Sequence, residues 1–245
     1  MAPSLCGVLK PEEIERALVV TAHPDDVDFG AAGTVANLTD AGVLVTYCLV
    51  TDGQAGGHDQ SIARTTMAAI RREEQTKAAA EVGVTDLCFL GYCDGAVEFD
   101  MELRHGLTRV IRQVRPQVVI TQSPHINLAS VYGSHADHVA TGQGVWAAVY
   151  PDARNPFAFP ELLTSGFEPW SVAEIWIMNH EKAETVVDIT NQVERKMRAL
   201  RCHVSQHLDP DGMEARVREW FRSNAEQAGL PAGSSAEQFF VVDAR

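Results

Sequence analysis

Short runs of β-branched, aliphatic and aromatic residues alternate along this chain with longer stretches of helical periodicity. That alternation restricts the fold more than any other feature. Residues 17–22 read as a first strand, 43–51 as a second, 87–90 as a third, 117–121 as a fourth and 174–178 as a later one, each bounded by turn residues. Between them the periodicity predicts helices over 31–41, 66–82, 101–114, 135–149 and 191–205, and a charged helix over 212–228. A β-α-β-α order predicts a mainly parallel sheet covered on both faces. Right-handed crossovers wind such a sheet into a Rossmann-like three-layer α/β sandwich, here with extra C-terminal helical and loop elements. Ligands in such folds sit beyond the carboxyl ends of the strands. The chain, 1–245, reads as a single domain. Its segment 151–169, which holds four prolines, reads as a surface-crossing loop or lid.

Composition excludes several classes. The 33 acidic and 20 basic side chains give a formal charge of −13, which argues against a general nucleic-acid surface. No apolar run approaches the ~20 residues of a membrane helix, so no membrane partner is expected. The five cysteines, Cys6, Cys48, Cys88, Cys93 and Cys202, are scattered and odd in number, and read as small thiols rather than a disulfide framework. Residues 1–10 lack the basic and apolar regions of a signal peptide, so a reducing cytoplasm is the expected location.

The chemistry concentrates after two strands. The first strand runs into Ala22-His23-Pro24-Asp25-Asp26-Val27-Asp28. Three carboxylates within four residues at a buried sheet edge are costly unless a cation neutralises them. No Gly-x-Gly precedes Gly33, and the carboxylates would repel a pyrophosphate, so a dinucleotide site is a poor reading. A divalent metal resolves the conflict, and imidazole with carboxylate suits zinc and related metals. The alternative is that the acids cap the next helix. After the fourth strand comes Ser134-His135-Ala136-Asp137-His138. His135 and His138, three apart at a helix start, share a face. Ser134 and Asp137 also match a capping box, leaving Asp137 either a cap or a group that orients a histidine. Two distant His/Asp groups, each just past a strand, meet the needs of a three-ligand catalytic zinc site.

On these two motifs together, Ala22-His23-Pro24-Asp25-Asp26 and His135-Ala136-Asp137-His138, the chain resembles the PIG-L/LmbE-like zinc-dependent N-deacetylases. The resemblance runs from the first strand to the 191–205 helix. It implies that His23, Asp26 and His138 hold Zn2+, with another divalent ion such as Fe2+ able to replace it. It implies Asp25 as general base, His135 as general acid or electrostatic stabiliser, and Asp137 as the residue that tunes His135. Arg71, on the inward stripe of its helix with Glu74, is a candidate substrate contact, with a structural ion pair as the other reading. Asp94, after the third strand, is a candidate acceptor for sugar hydroxyls, with a plain Asp-Gly turn as the other reading. The loop 51–58 carries glycines that suit close backbone approach to a ligand.

The expected reaction is hydrolysis of an N-acetyl or other N-acyl group on a small amino-sugar-containing molecule, with zinc-bound water as nucleophile. Small homo-oligomers are compatible with the resemblance. Two other readings stand beside it: an amidase of the mycothiol-conjugate type acting on a larger amide, and a Rossmann-like domain that binds sugar or metal without turnover. A serine-hydrolase reading fails because Gly133-Ser134-His135-Ala136-Asp137 lacks the second glycine of a nucleophile elbow.

Overall fold

Among the described residues, seven strands form one sheet in the order β3-β2-β1-β4-β5-β7-β6: β1 (Arg16–Thr21), β2 (Leu44–Thr51), β3 (Asp86–Tyr92), β4 (Val118–Thr121), β5 (Glu174–Met178), β6 (Thr185–Asp188) and β7 (Ala236–Asp243). The computed structural model describes residues 8–128 and 131–245, with the side chain of Tyr132 also left aside; Cys6 lies outside the described residues. β1 pairs in parallel with β2 on one side and β4 on the other, and β2–β3 and β4–β5 are parallel as well. β7 runs antiparallel to both β5 and β6. This is a Rossmann-like three-layer α/β sandwich, as the alternation predicts. The chain leaves β1 toward β2 and later returns to β1's other side with β4. Their carboxyl ends therefore flank the crevice where doubly wound sheets bind ligands.

Helices cover both faces: α1 (Asp26–Gly30), α2 (Ala32–Asp40), α3 (Arg64–Glu81), α4 (Met101–Val114), α5 (Ala136–Ala147), α6 (Pro160–Thr164), α7 (Val193–Arg201) and α8 (Pro210–Gln227). The central strands β1 and β4 are buried on both faces and read as continuous apolar runs for that reason. One core lies beneath α2 and α3 and includes Val19, Tyr47, Leu49 and Ile120. The other lies beneath α4 and α5 and includes Leu18, Val20, Leu103, Leu107 and Val119. A smaller cluster of Met197, Leu200, Met213, Val217 and Phe221 docks α7 and α8.

Most predicted elements appear within two residues of their expected bounds, and the 101–114 helix and 174–178 strand match at both ends. Two strands were missing from the sequence reading. β7 lies among the C-terminal loop elements beyond the 212–228 helix, although Phe239-Phe240-Val241-Val242 is strand-forming sequence. β6 has only four residues, too few to show a period. Within 151–169, Arg112 donates to the carbonyls of Asp152, Ala153, Asn155 and Ala158, and Arg104 makes a two-pronged ion pair with Asp152. The segment is thus pinned to α4, and none of it lines the pocket described below.

Candidate active site

β1 ends at Thr21 and delivers His23 to the β1/β4 crevice. Neighbouring strands hold this exit in place: Ala22 N–H donates to Gln122 Oε1 at 2.9 Å, and Thr51 donates to the Ala22 carbonyl through both its N–H (2.8 Å) and its hydroxyl (2.9 Å). The chain then turns sharply. Asp25 has φ +93°, a conformation that costs a non-glycine residue about 1–3 kcal/mol. Its N–H donates to Gln75 Oε1 at 2.8 Å, and its carboxylate meets Arg71 Nη2 at 3.1 Å. Across the crevice, His135 caps α5: its Nδ1 accepts the Asp137 N–H at 3.2 Å. That bond leaves the neutral ring's proton on Nε2. One turn later, α5 presents His138.

Two ring nitrogens and the two oxygens of one carboxylate converge. His23 Nδ1 is 3.2 Å from His138 Nε2 and 3.4 Å from Asp26 Oδ2, and His138 Nε2 is 3.1 Å from Asp26 Oδ1. A tetrahedral ion with bonds of 2.0–2.1 Å needs ligand atoms about 3.3–3.4 Å apart. Two imidazole nitrogens and a carboxylate at these separations fit such an ion. A ring nitrogen of His135 also lies within 4.8 Å of the donor atoms of His23 and His138.

The other nitrogen of His23 is held from behind. Nε2 is 3.1 Å from Asp137 Oδ2 and 3.1 Å from Asp94 Oδ1. Asp137 is fully buried and also accepts the N–H groups of Gly95 (2.7 Å) and Val97 (3.2 Å). Asp94 accepts the Ala55 N–H at 2.8 Å. A carboxylate on the far nitrogen fixes the ring's tautomer and leaves Nδ1 free to bind a cation.

The electrostatics tell the same story. Burial opposes a charge on His23, but hydrogen bonds to Asp137, Asp26 and Asp94 outweigh it and push the imidazole up to about 12. Burial also penalises the charged Asp26, yet the His138 and His23 rings hold it well below the usual carboxylate range. The carboxylates around His23 demand a positive charge, and a proton on this ring supplies it where a metal ion is not bound. Asp25 behaves differently. Burial raises its carboxyl to about 6, against the pull of Arg71 and with the help of Asp26.

Several sequence expectations change in detail. Asp137 does orient a histidine, but the ring its carboxylate grips is His23; only its N–H meets His135. Ser134 does not complete a capping box, since its hydroxyl exchanges hydrogen bonds with the N–H and carbonyl of Asn127. Arg71 is 4% exposed and lies beneath the loop. It donates to the carbonyls of Gly53 and Pro24 and pairs with Asp25 rather than with Glu74. Glu74 instead accepts the N–H and hydroxyl of Ser205. The backbone that Gly53 allows to approach closely therefore meets Arg71: a Cβ at Gly53 would come within 2.3 Å of the guanidinium. Asp94, too, faces His23 rather than the pocket wall. Asp28 points away from the ligand triangle to Gln75 Nε2 (2.9 Å) and His203 Nε2 (2.8 Å). Gln75 and His203 were not singled out from the sequence. Gln75 lies one turn beyond Arg71 on the same inward stripe, a signal that was there to read.

Asp26 and His138 open onto a pocket of about 780 Å3, whose wall includes Phe29, Gln122, His125, Met178, Lys182, Arg216 and Trp220. Among the described residues, no helix is long and apolar enough to cross a membrane.

Comparison with known proteins gives a consistent picture. The family model for the PIG-L, GlcNAc-PI de-N-acetylase, family matches residues 18–149. The chain is 32% identical over 195 residues to the diacetylchitobiose deacetylase of Thermococcus kodakarensis, covering 79% of this chain and 71% of that one. It is 30% identical over 219 residues to a probable N-acetyl-alpha-D-glucosaminyl L-malate deacetylase 2 of Bacillus subtilis, covering 86% and 90%. Its structure superposes on the N,N'-diacetylchitobiose deacetylase of Pyrococcus horikoshii with a TM-score of 0.87 at 30% identity, over 95% of this chain and 85% of the other.

Proposed function

The chain belongs to the PIG-L, GlcNAc-PI de-N-acetylase, family, and from that premise we propose that it is a metal-dependent N-deacetylase acting on a small N-acetylated amino sugar. One observation carries the reading: His23 Nδ1, Asp26 and His138 Nε2 stand 3.1–3.4 Å from one another beside a pocket of about 780 Å3. Deacetylases among the similar proteins point to the same reaction. The alternative of a mycothiol-conjugate-type amidase draws no support from these relatives.

His23, Asp26 and His138 would hold the ion. Two imidazoles and one carboxylate suit Zn2+, and Fe2+ binds the same donor types. When bound, such an ion supplies Lewis acidity, polarising an amide carbonyl and bringing the pKa of a water toward neutrality. Asp25 takes the proton of the attacking water. A carboxyl raised to about 6 is ionised at neutral pH and remains basic enough to accept that proton. Arg71 and Gln75 keep Asp25 in its strained turn, which makes both of them positioning residues. Asp94 and Asp137 do the same for His23. His135, with its proton on Nε2, donates to the oxygen that gains charge as water adds to the carbonyl. The proton that Asp25 has taken then passes to the departing nitrogen, because a neutral His135 that gave up its Nε2 proton would be left an imidazolate. Water adds across the amide C–N bond, the bond breaks, and the products are an amine and acetate.

Asp25→Asn tests the assignment. The variant is expected to bind the metal like the wild type and to lose acetate release by a factor of about 100 to 10,000, the range of a positioned general base. Retention of full activity would remove Asp25 from the mechanism.

A further inference from the structure

Cys48, Cys88, Cys93 and Cys202 lie among the described residues as free thiols, and the deacetylase reading gives none of them a role. Two of them meet. Cys48 on β2 and Cys88 on β3 are directly opposed in the parallel register, so their side chains leave the sheet on the same face. That face is the α4 side. There Cys48 is buried among Leu18, Val20, Leu103 and Leu107, and Cys88 packs against the same cluster. The Cys48 thiol donates a hydrogen bond to the Cys88 sulfur.

The two sulfurs differ in their surroundings. β3 is an edge strand of the sheet, and Cys88 is only half-buried, whereas Cys48 is fully buried. The hydrogen bond from Cys48 favours the Cys88 thiolate, and the charge of Arg109 on α4 adds to it. Together they outweigh burial and Asp86 and bring the thiol down to about 7. Cys202 is the contrast, since burial and the acids Glu81 and Asp28 push its thiol up. A partly exposed thiolate beside a cation, with a second thiol in contact, is the setting in which a cysteine reacts with peroxide and its neighbour resolves the product.

The backbone allows the two to be joined. Adjacent strands lie about 4.8 Å apart, within the Cα separation of about 4.4–6.8 Å that a disulfide takes. The Cβ atoms of a disulfide stand about 3.8 Å apart, so β3 must lean toward β2. An edge strand can make that move, and the register between β2 and β3 already shifts between Leu49 and Thr51. A bond that pinches two strands together is strained and readily reduced.

We propose that Cys88 and Cys48 are a peroxide-reactive pair that closes to a reversible disulfide between β2 and β3. The Cys88 thiolate attacks hydrogen peroxide: an S–O bond forms, the O–O bond breaks, and hydroxide leaves and takes up the proton Cys88 had lost. The Cys48 sulfur then attacks the Cys88 sulfenic acid. The S–S bond forms, the S–O bond breaks, and hydroxide leaves with the Cys48 proton as water. Two thiols are oxidised by two electrons in all, and one peroxide is reduced to two waters. The bond closes residues 48–88 into a covalent loop that contains α3, with Arg71 and Gln75 beneath Asp25.

Peptide mapping tests the pair. The reduced protein is treated with hydrogen peroxide, unfolded in iodoacetamide to block remaining thiols, digested and read by mass spectrometry. The expected product is a crosslink between the Cys48 and Cys88 peptides, lighter by two hydrogens and removed by dithiothreitol. Cys88 is expected to be consumed about tenfold faster than Cys202. In Cys48→Ala the reaction is expected to stop at a sulfenic acid on Cys88, which dimedone traps, while in Cys88→Ala Cys48 stays unmodified. If either variant fails to fold, the wild-type crosslink and the relative rates decide alone. Cys88 consumed no faster than Cys202, Cys88 carried to sulfinic acid without the crosslink, or disulfides to other cysteines in its place would overturn the proposal.

Discussion

At the scale of single residues, the site is governed by what stands behind His23. Asp137 and Asp94 both reach its Nε2, and Asp137 also carries two backbone N–H groups. Removing a carboxylate from the far side of a metal-binding histidine weakens metal affinity by about 10- to 100-fold. Asp137→Asn is therefore expected to lower affinity for Zn2+ by that factor in a competition titration against a chelating dye. Unchanged affinity would mean that His23 needs no support. The sequence left Asp137 as a cap or as a group that orients a histidine, and the resemblance pointed to His135 where the carboxylate meets His23. The choice depends on how closely α5 approaches β1 and on the turn at Gly95, neither of which has a local signature. His203 gives a pH-dependent case away from the ligands. Burial disfavours its charge, yet the hydrogen bond and charge of Asp28 raise its pKa above 6.5. The stability this adds is fully present below pH 6.5 and is lost as pH rises through the raised folded value. Breaking such a buried pair costs about 3–5 kcal/mol. His203→Asn should thus melt below the wild type, with a wider gap at pH 6 than at pH 9 in metal-free protein. A gap that widens with rising pH would contradict the pairing.

Among the elements, α5 sets the position of His138. It sits so close to the end of β4 that a Cβ on Gly142 would come within 2.6–2.7 Å of the backbone of Gln122, Ser123 and Pro124. Backbone cannot yield as a flexible side chain does, so Gly142→Ala forces the helix outward. The expected cost is about 1–3 kcal/mol of stability in denaturant unfolding, the range for overpacking. Metal affinity should fall with it, because His138 moves with α5. A variant as stable as the wild type with unchanged affinity would show that α5 tolerates the shift. The elements that carry the site were the most legible ones. β1, β2 and β4 are buried runs of Val, Leu and Ile, and α4 has strong amphipathic periodicity between Asp100, which caps its start, and Arg115, where the chain turns left-handed. What stayed hidden was short or antiparallel. β6 and β7 complete the sheet beyond β5, and their pairing depends on long-range register. Glu237 on β7 illustrates the loss: it accepts the N–H groups of Gly33 and Thr34 at the start of α2 and pairs with the buried Lys196. No residue near Glu237 in sequence announces either partner.

For the molecule as a whole, two halves of the chain meet at one crevice. The His23 loop follows β1 and the His135–His138 pair follows β4, and only the crossover that makes these strands neighbours brings the donors together. Alternation of strand and helix was enough to predict that meeting; the pocket wall formed by α8 was not predicted, since no motif marks it. A metal that binds the folded chain and not the unfolded one adds stability by mass action, about 2.7 kcal/mol at 100 times its Kd. The most direct test follows acetate released from an N-acetylglucosaminide as chelator-stripped protein is titrated with Zn2+. Activity is predicted to be absent at first, to climb in proportion to the ion until one equivalent per chain is bound, and to stay absent in His23→Ala. Full acetate release by the stripped protein, or none at any loading of the wild type, would contradict the account.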